Sequence, residues 1–554
     1  MTAFERPDPF VSILNSPPAS AVAINVPAIA QSKHSSCNPE GVGIVGNQWR
    51  FKLPNAVGAG NCLVLFITHP WSASRVVTIT DDRGNAWPSS PSATANPGGA
   101  GYQSSCYILP NAAAGVTTIT VTIDTVSNIS SINQLANTVT VNATGHGLAR
   151  GQTAIIAGVP VNAYNGAWVV TGVITADSFQ YDNPPGGLQA SSGGNAMLGV
   201  IPFQYSLFEA YNVALAAPLN GSSVSVGQRG PNLSTGSFTP GANDSAGGNL
   251  ILSYFGLGQI ANTNVTTWLA GAKFILVDGD ISWTNSQGFP HASQQYLQPT
   301  AAAVNPSMVS SGDSGNFYNG ISIALRGAPG IGTPPPAGIR INKVISLTTN
   351  RPPASWRVQF PCSGNLLVCA ANEPNVCNIT RISDTMGNAW VVQSLDSATP
   401  QIWYATGSSS GTALVMTVSI QGAPQHVTLV LYDISGAAAN AFGASAGLTA
   451  QNVSGLTQLQ HCPDITPTQI NGLVIARSVI GIGPVFDSPS PAGAIDDFVR
   501  YANQGISGID LMDNADGASH FYNLGNRALE NWTWTFPANP SDAIGAEAIF
   551  FMGR

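Results

Sequence analysis

Polar and apolar residues alternate at period two through much of the chain. Thr118-Ile119-Thr120-Val121-Thr122-Ile123 and Val415-Met416-Thr417-Val418-Ser419-Ile420 both carry β-branched or long apolar side chains at every second position. Such runs lay one face of a strand on a core. Shorter, wholly apolar runs such as Leu63-Val64-Leu65-Phe66-Ile67 stand among them. Between runs, Asp81-Asp82-Arg83-Gly84-Asn85-Ala86-Trp87 reads as a hairpin turn. Asp81 caps its own backbone, Gly84 and Asn85 tolerate positive φ, and Trp87 restarts a packed strand. Asp384, Gly387, Asn388 and Trp390 repeat that arrangement. No stretch sustains a helical apolar period beyond about three turns, and residues 496–503 (DDFVRYAN) are the best short-helix candidate. The pattern predicts an all-β fold of β-sandwich or jelly-roll type.

The turn belongs to an internal repeat. Gly60-Asn61-Cys62-Leu63-Val64 leads to the first turn, and Gly364-Asn365-Leu366-Leu367-Val368 leads to the second. Matches follow in the same order: Cys106-Tyr107 with Trp403-Tyr404, 118–123 with 415–420, Gly248-Asn249-Leu250 with Asn471-Gly472-Leu473, and Ala292 to Tyr296 with Ala518 to Tyr522. Both copies close on an apolar strand, at 321–325 and 546–551. We therefore expect an N-terminal arm at 1–20, a first half formed by 21–125 and 200–327, and a second half at 340–554. Residues 328–339, rich in Pro and Gly, predict an extended, semi-rigid spacer between them.

Residues 126–199 interrupt the first copy only. They contain Thr138-Val139-Thr140-Val141, Gly145-His146-Gly147-Leu148, Tyr164-Asn165-Gly166-Ala167-Trp168-Val169-Val170 and Ser178-Phe179-Gln180-Tyr181. Four or five short strands with Gly-rich turns predict a small β-barrel-like domain, inserted at a loop where its ends lie close together. The order of these motifs resembles a small β module that recurs in tailed-phage virion and tail-associated proteins. The flanking "GN-L-V…D-x-x-GN-x-W…Y" pattern resembles repeated jelly-roll-like domains of large bacterial and phage surface proteins. The first resemblance implies a structural protein of a virion; the second implies a surface role without a defined ligand.

Composition sharpens this picture. Of 554 residues only 19 are Lys or Arg and 27 Asp or Glu, and the net charge is −8. That is 8% charged, against a usual ~25%, with no basic face to attract nucleic acid. Only Lys33, Lys52, Lys273 and Lys343 represent lysine. Lysine depletion is characteristic of surfaces covered by protein partners. Residues 1–20 show no basic stretch followed by an apolar one, and no run reaches the ~18 apolar residues of a membrane helix. Neither a secretory leader nor membrane insertion is expected. Seven cysteines at irregular spacing, none in CxxC, indicate buried thiols rather than a disulfide framework or zinc site.

Local chemistry is sparse. The seven histidines form no HxH or HExxH pair, and His146 between glycines reads as a turn residue. Asp510, Asp513 and Asp516 form the most acidic loop and are a candidate Ca²⁺ site, although their spacing is not that of an EF-hand. Trp532 and Trp534 are candidates for stacking on a sugar, with core packing the commoner use of such residues. No catalytic motif and no cofactor is indicated. The expected function is a non-enzymatic structural and assembly protein of a phage virion, made in the host cytoplasm, homo-oligomeric and in contact with other virion proteins. Binding of a host-surface glycan is a possible addition. The alternative is a carbohydrate-binding or carbohydrate-cleaving protein at a cell surface, which requires exposed tryptophans and, for cleavage, two facing carboxylates.

Overall fold

The computed structural model describes residues 26–35 and, from 48 onward, the strands with most of their turns. Residues 1–25, 36–47, 280–290, 481–494, 501–514, 524–531 and shorter loops elsewhere lie outside the described residues. Strands are numbered along the chain.

A 10-stranded sheet forms the centre. In spatial order it comprises β27 (Val391–Gln393), β28 (Gln401–Thr406), β25 (Leu366–Asn372), β30 (Val427–Ser435) and β23 (Arg340–Thr349), then β1 (Ala28–Ser35), β14 (Gln204–Tyr211), β3 (Cys62–Pro70), β6 (Tyr102–Leu109) and β5 (Ala93–Ala95). The seam between the repeats is the parallel pair β1·β23, with Ser32 beside Lys343. Outward from that seam the two repeats present the same strand order.

An 8-stranded sheet covers one face: β15 (Leu219–Gln228), β22 (Phe317–Arg326), β17 (Asn249–Leu257), β20 (His291–Gln298), β19 (Ile275–Gly279), β24 (Ser355–Gln359), β29 (Val415–Gly422) and β26 (Cys377–Asp384). Two sheets cover the other. One has 3 strands, β2 (Gln48–Lys52), β7 (Thr118–Ile123) and β4 (Val77–Asp81); the other has 5, β31 (Ala437–Leu448), β37 (Ile544–Gly553), β33 (Gly472–Ile480), β35 (Ala515–Asn523) and β34 (Ile495–Arg500). Further out lie β16 (Asn232–Ser234), β21 (Ser307–Gly312) and β18 (Val265–Ala270), and the pair β32 (Thr457–Cys462) and β36 (Trp532–Pro537). Every strand of the second repeat thus has a counterpart in the first; among the described residues outside the inserted barrel strands at 127–198, only β18 lacks one.

The apolar runs explain the layering. Leu63, Leu65 and Ile67 of β3 pack with Trp49, Phe51 and Val121 on one face. Val64 and Phe66 pack with Leu252, Tyr254 and Ile323 on the other. A strand buried on both faces reads as uninterrupted apolar sequence, and each Leu or Phe so buried contributes about 1.5–3 kcal/mol. In β25, Leu367 and Cys369 meet Trp356 and Val418, while Leu366 and Val368 meet Leu473 and Phe551. Because equivalent strands pair in parallel, the repeats are related by an approximate twofold axis along the strands, which turns the sheet over between them.

Residues 126–199 contain a closed barrel of β10 (Thr153–Ala157), β11 (Gly166–Thr175), β12 (Ser178–Asp182), β9 (Thr138–Ala143), β8 (Ser127–Leu135) and β13 (Asn195–Leu198). Its first and last strands pair, Ser127 opposite Ala196, so the insertion leaves and rejoins the parent fold at adjacent points.

The structure corrects four sequence expectations. The barrel has six strands rather than four or five, because the weakly patterned segments at 127–135 and 195–198 close it. Residues 495–500, overlapping the helix expected at 496–503, form β34, held by a bulged antiparallel pairing to β35. The 328–339 segment is bound to the first repeat instead of spacing the halves apart: Thr333 N donates to Asn61 Oδ1 at 2.7 Å and Gly330 N to Asn212 Oδ1 at 3.0 Å. Two repeat matches also slip by one residue. Leu65 pairs with Tyr107 and its counterpart Cys369 pairs with Trp403, so Tyr107, not Cys106, occupies the position of Trp403. Tyr254 pairs with Ser293 and its counterpart Arg477 with Ala518, so Ser293, not Ala292, corresponds to Ala518.

Candidate functional site

Asp81 ends β4 and folds the chain back over itself. Its carboxylate accepts from Arg83 N (2.9 Å), Asn85 N (3.2 Å), Asn85 Nδ2 (3.0 Å) and Trp87 Nε1 (2.8 Å). Asp384 accepts from Met386 N (2.8 Å), Asn388 N (3.3 Å), Asn388 Nδ2 (3.0 Å) and Trp390 Nε1 (2.6 Å). Gly84 and Gly387 adopt φ of 70° and 73°, values that glycine reaches without strain. Both tryptophans are half-buried at the edge of a core. Carboxylates engaged four times over have no capacity left for a cation.

A second pair of acids was not singled out from sequence. Glu209 in β14 lies opposite Leu63, and Asp433 in β30 lies opposite the equivalent Leu367. Glu209 accepts from Gln31 Nε2, Asn61 Nδ2 and Gly58 N. Burial pushes its carboxyl up, and those hydrogen bonds partly oppose the rise. Asp433 accepts from Ser363 N and Oγ and from Gly364 N. Each acid anchors the turn that precedes β3 or β25. Asn61 and Asn365 complete the anchors, the first bonding both ways to the Thr333 backbone and the second to Ala437. The available signal was a lone acid within an apolar run at the same place in both repeats, Phe208-Glu209-Ala210 and Tyr432-Asp433-Ile434.

A buried ionisable cluster lies at the seam, between the central and 8-stranded sheets. Asp278 Oδ2 is 3.0 Å from His291 Nε2 and 3.4 Å from His34 Nδ1, and Ser206 Oγ donates to it at 3.4 Å. Lys343, from the other repeat, donates to Val277 O at 2.7 Å and to Pro361 O. His34, Asp278 and His291 are at most 1% exposed. Burial pulls the His34 imidazole down to about 3, with Lys343 and His291 adding to the fall and Asp278 opposing it. Burial pushes Asp278 up, but His34, His291 and Lys343 outweigh it and hold the carboxyl below its ordinary range. Both effects keep His34 neutral and Asp278 ionised at neutral pH. A carboxylate between imidazoles, facing a buried ammonium, fixes strand register and joins two repeats. No sequence signal points to this cluster, since its members lie on strands remote in the chain.

The barrel motifs serve the barrel. His146 Nδ1 accepts from Leu148 N at 3.0 Å, so its Nε2 carries the proton facing Thr175 O at 3.2 Å. Trp168 Nε1 donates to Tyr164 O, Tyr164 OH to Gln189 O, and Asn165 Oδ1 accepts from Val159 N.

Other sequence candidates are less fully placed. Asp510 and Asp513 lie outside the described residues, whereas Asp516 belongs to β35; the side chains of Trp532 and Trp534, in β36, also lie outside them. Trp49, Trp268, Trp356 and Trp403 are buried. Among the described residues no group of His, Cys, Asp and Glu is arranged to hold a metal ion, and no helix is long and apolar enough to cross a membrane.

No protein-family model matches the chain, and no curated protein matches it. Among solved structures, a chain of the Sputnik virophage determined by cryo-EM aligns over 78% of this chain and 90% of its own, at 9% identity and a TM-score of 0.12. A score that low carries no argument.

Proposed function

We propose that the chain is a non-enzymatic structural and assembly protein of a phage virion, in a tail, fibre, baseplate or capsid-decorating position. One observation carries the reading: only 8% of the chain is charged, and seven of those Lys, Arg, Asp and Glu side chains are buried among the described residues. Lys33 and Lys343, two of the four lysines, are buried, as are Glu209, Asp278, Asp433, Arg477 and Glu547, the last kept protonated at neutral pH by burial. The exterior is correspondingly sparse in charge, a surface suited to coverage by neighbouring subunits. Asp81, Asp384, Glu209 and Asp433 are consumed by turns and backbone amides, which leaves the carbohydrate-cleaving alternative without support from them.

Quantitative mass spectrometry of purified particles tests the proposal. Peptides of this chain should persist through gradient purification at a fixed copy number per particle. Their absence from particles, together with soluble glycan-cleaving activity of the purified chain, would overturn it.

A further inference from the structure

The duplication gives the molecule two equivalent rims. At one, the outermost strands of the three layers are β4, β5 and β15; at the other they are the counterparts β26, β27 and β31. β15 (LNGSSVSVGQ) and β31 (AAANAFGASAGL) are long and contain neither a charged residue nor a proline. Each is the edge of its sheet, hydrogen-bonded in the described ladders only to β22 or to β37. Sheet edges are ordinarily blocked by lysine, proline, shortness or a bulge, because a free row of N–H and C=O groups templates another strand; β15 and β31 are bulged near their starts but pair regularly over 222–228 and 444–448. Apolar side chains gather on the same rims. Val224 and Val226 of β15 are 48% and 38% exposed, and Val391, Val392 and Phe442 at the opposite rim are 47%, 38% and 37% exposed.

We propose that β15 and β31 are the edges through which this chain joins further copies of itself, rim to rim, into a row or a closed ring. A second copy is the occupant these features favour. The chain already joins its own repeats edge to edge, at β1·β23 and again where Gly279 of β19 pairs with Gln359 of β24. The β15 and β31 edges themselves carry no charge, so they offer a charged foreign partner nothing to select, while each matches the other. Two like rims make every copy divalent, which produces a repeating assembly rather than an isolated dimer. This inference rests on the assembly reading above and specifies its surface.

Light scattering of the full chain over a range of concentrations, with Val226→Lys and Phe442→Lys singly and together, tests it. The unaltered chain should exceed the mass of one chain; each single variant should fall to a dimer or monomer, and the double variant to a monomer with unchanged circular dichroism. If Val226→Lys does not fold, Ser222→Lys, at an exposed polar position of the same strand, replaces it. A folded double variant that keeps the assembled mass overturns the edge proposal and leaves assembly to another surface. An unaltered chain that stays monomeric at every concentration overturns the edge proposal and the assembly reading together.

Discussion

His34 and Glu547 make opposite demands on pH. Burial holds the His34 imidazole at about 3 in the folded chain, whereas the unfolded chain takes up its proton near 6.5. The stability that depends on neutral His34 is complete above pH 6.5 and is lost progressively as pH falls towards 3, at about 1.4 kcal/mol per unit. Glu547 is raised to about 9, chiefly by burial, with the Ile402 amide and Arg477 opposing. Its contribution is complete below the unfolded value near 4.5 and is lost as pH rises towards 9. Urea unfolding from pH 4 to 9 should therefore show two limbs. His34→Gln should flatten the acid limb, and Glu547→Gln should stabilise the protein above pH 7 with a gain that vanishes near pH 4.5. Single residues were legible in sequence where they act locally, as Asp81, Asn85 and Trp87 do within one turn. His34, Asp278 and His291 were not, because a contact made across two sheets leaves no spacing to read.

Strands and turns carry the next level of account. Period-two alternation identified β7 and β29, and apolar runs identified β3 and β25, because burial on one or both faces writes directly into sequence. The register of weaker matches was not legible. Aligning Tyr296 with Tyr522 by identity moves the strand by one residue, and a one-residue slip exchanges its faces. The helix expected at 496–503 failed for a related reason: pairing with β35, remote from local propensity, decides β34. The turn itself is testable. Asp81→Ala and Asp384→Ala each remove the acceptor for two backbone amides, an Asn amide and an indole. Each should destabilise the protein by about 1–2 kcal/mol in urea unfolding, and the two losses should add, since the turns sit at opposite rims.

The whole molecule is one body built twice. The repeat was visible as landmarks in order; that the copies share a single sheet was not, because strand partnership across a Pro-rich connection has no local signature. Parallel pairing of β1 with β23 and the seam lysine bonded to Val277 O bind the halves into a continuous stack, and the Asn61–Thr333 clamp holds the connection against the first. Two like rims then follow from the same duplication. Hydrogen–deuterium exchange of the intact chain reads this arrangement directly, since protection depends on whether a strand is interior or at an edge. Residues 28–35 and 340–349 should exchange as slowly as 427–435, and far more slowly than the edge strands 93–95 and 391–393. Rapid exchange of both seam segments, as expected for two independent sandwiches that merely touch, would contradict it.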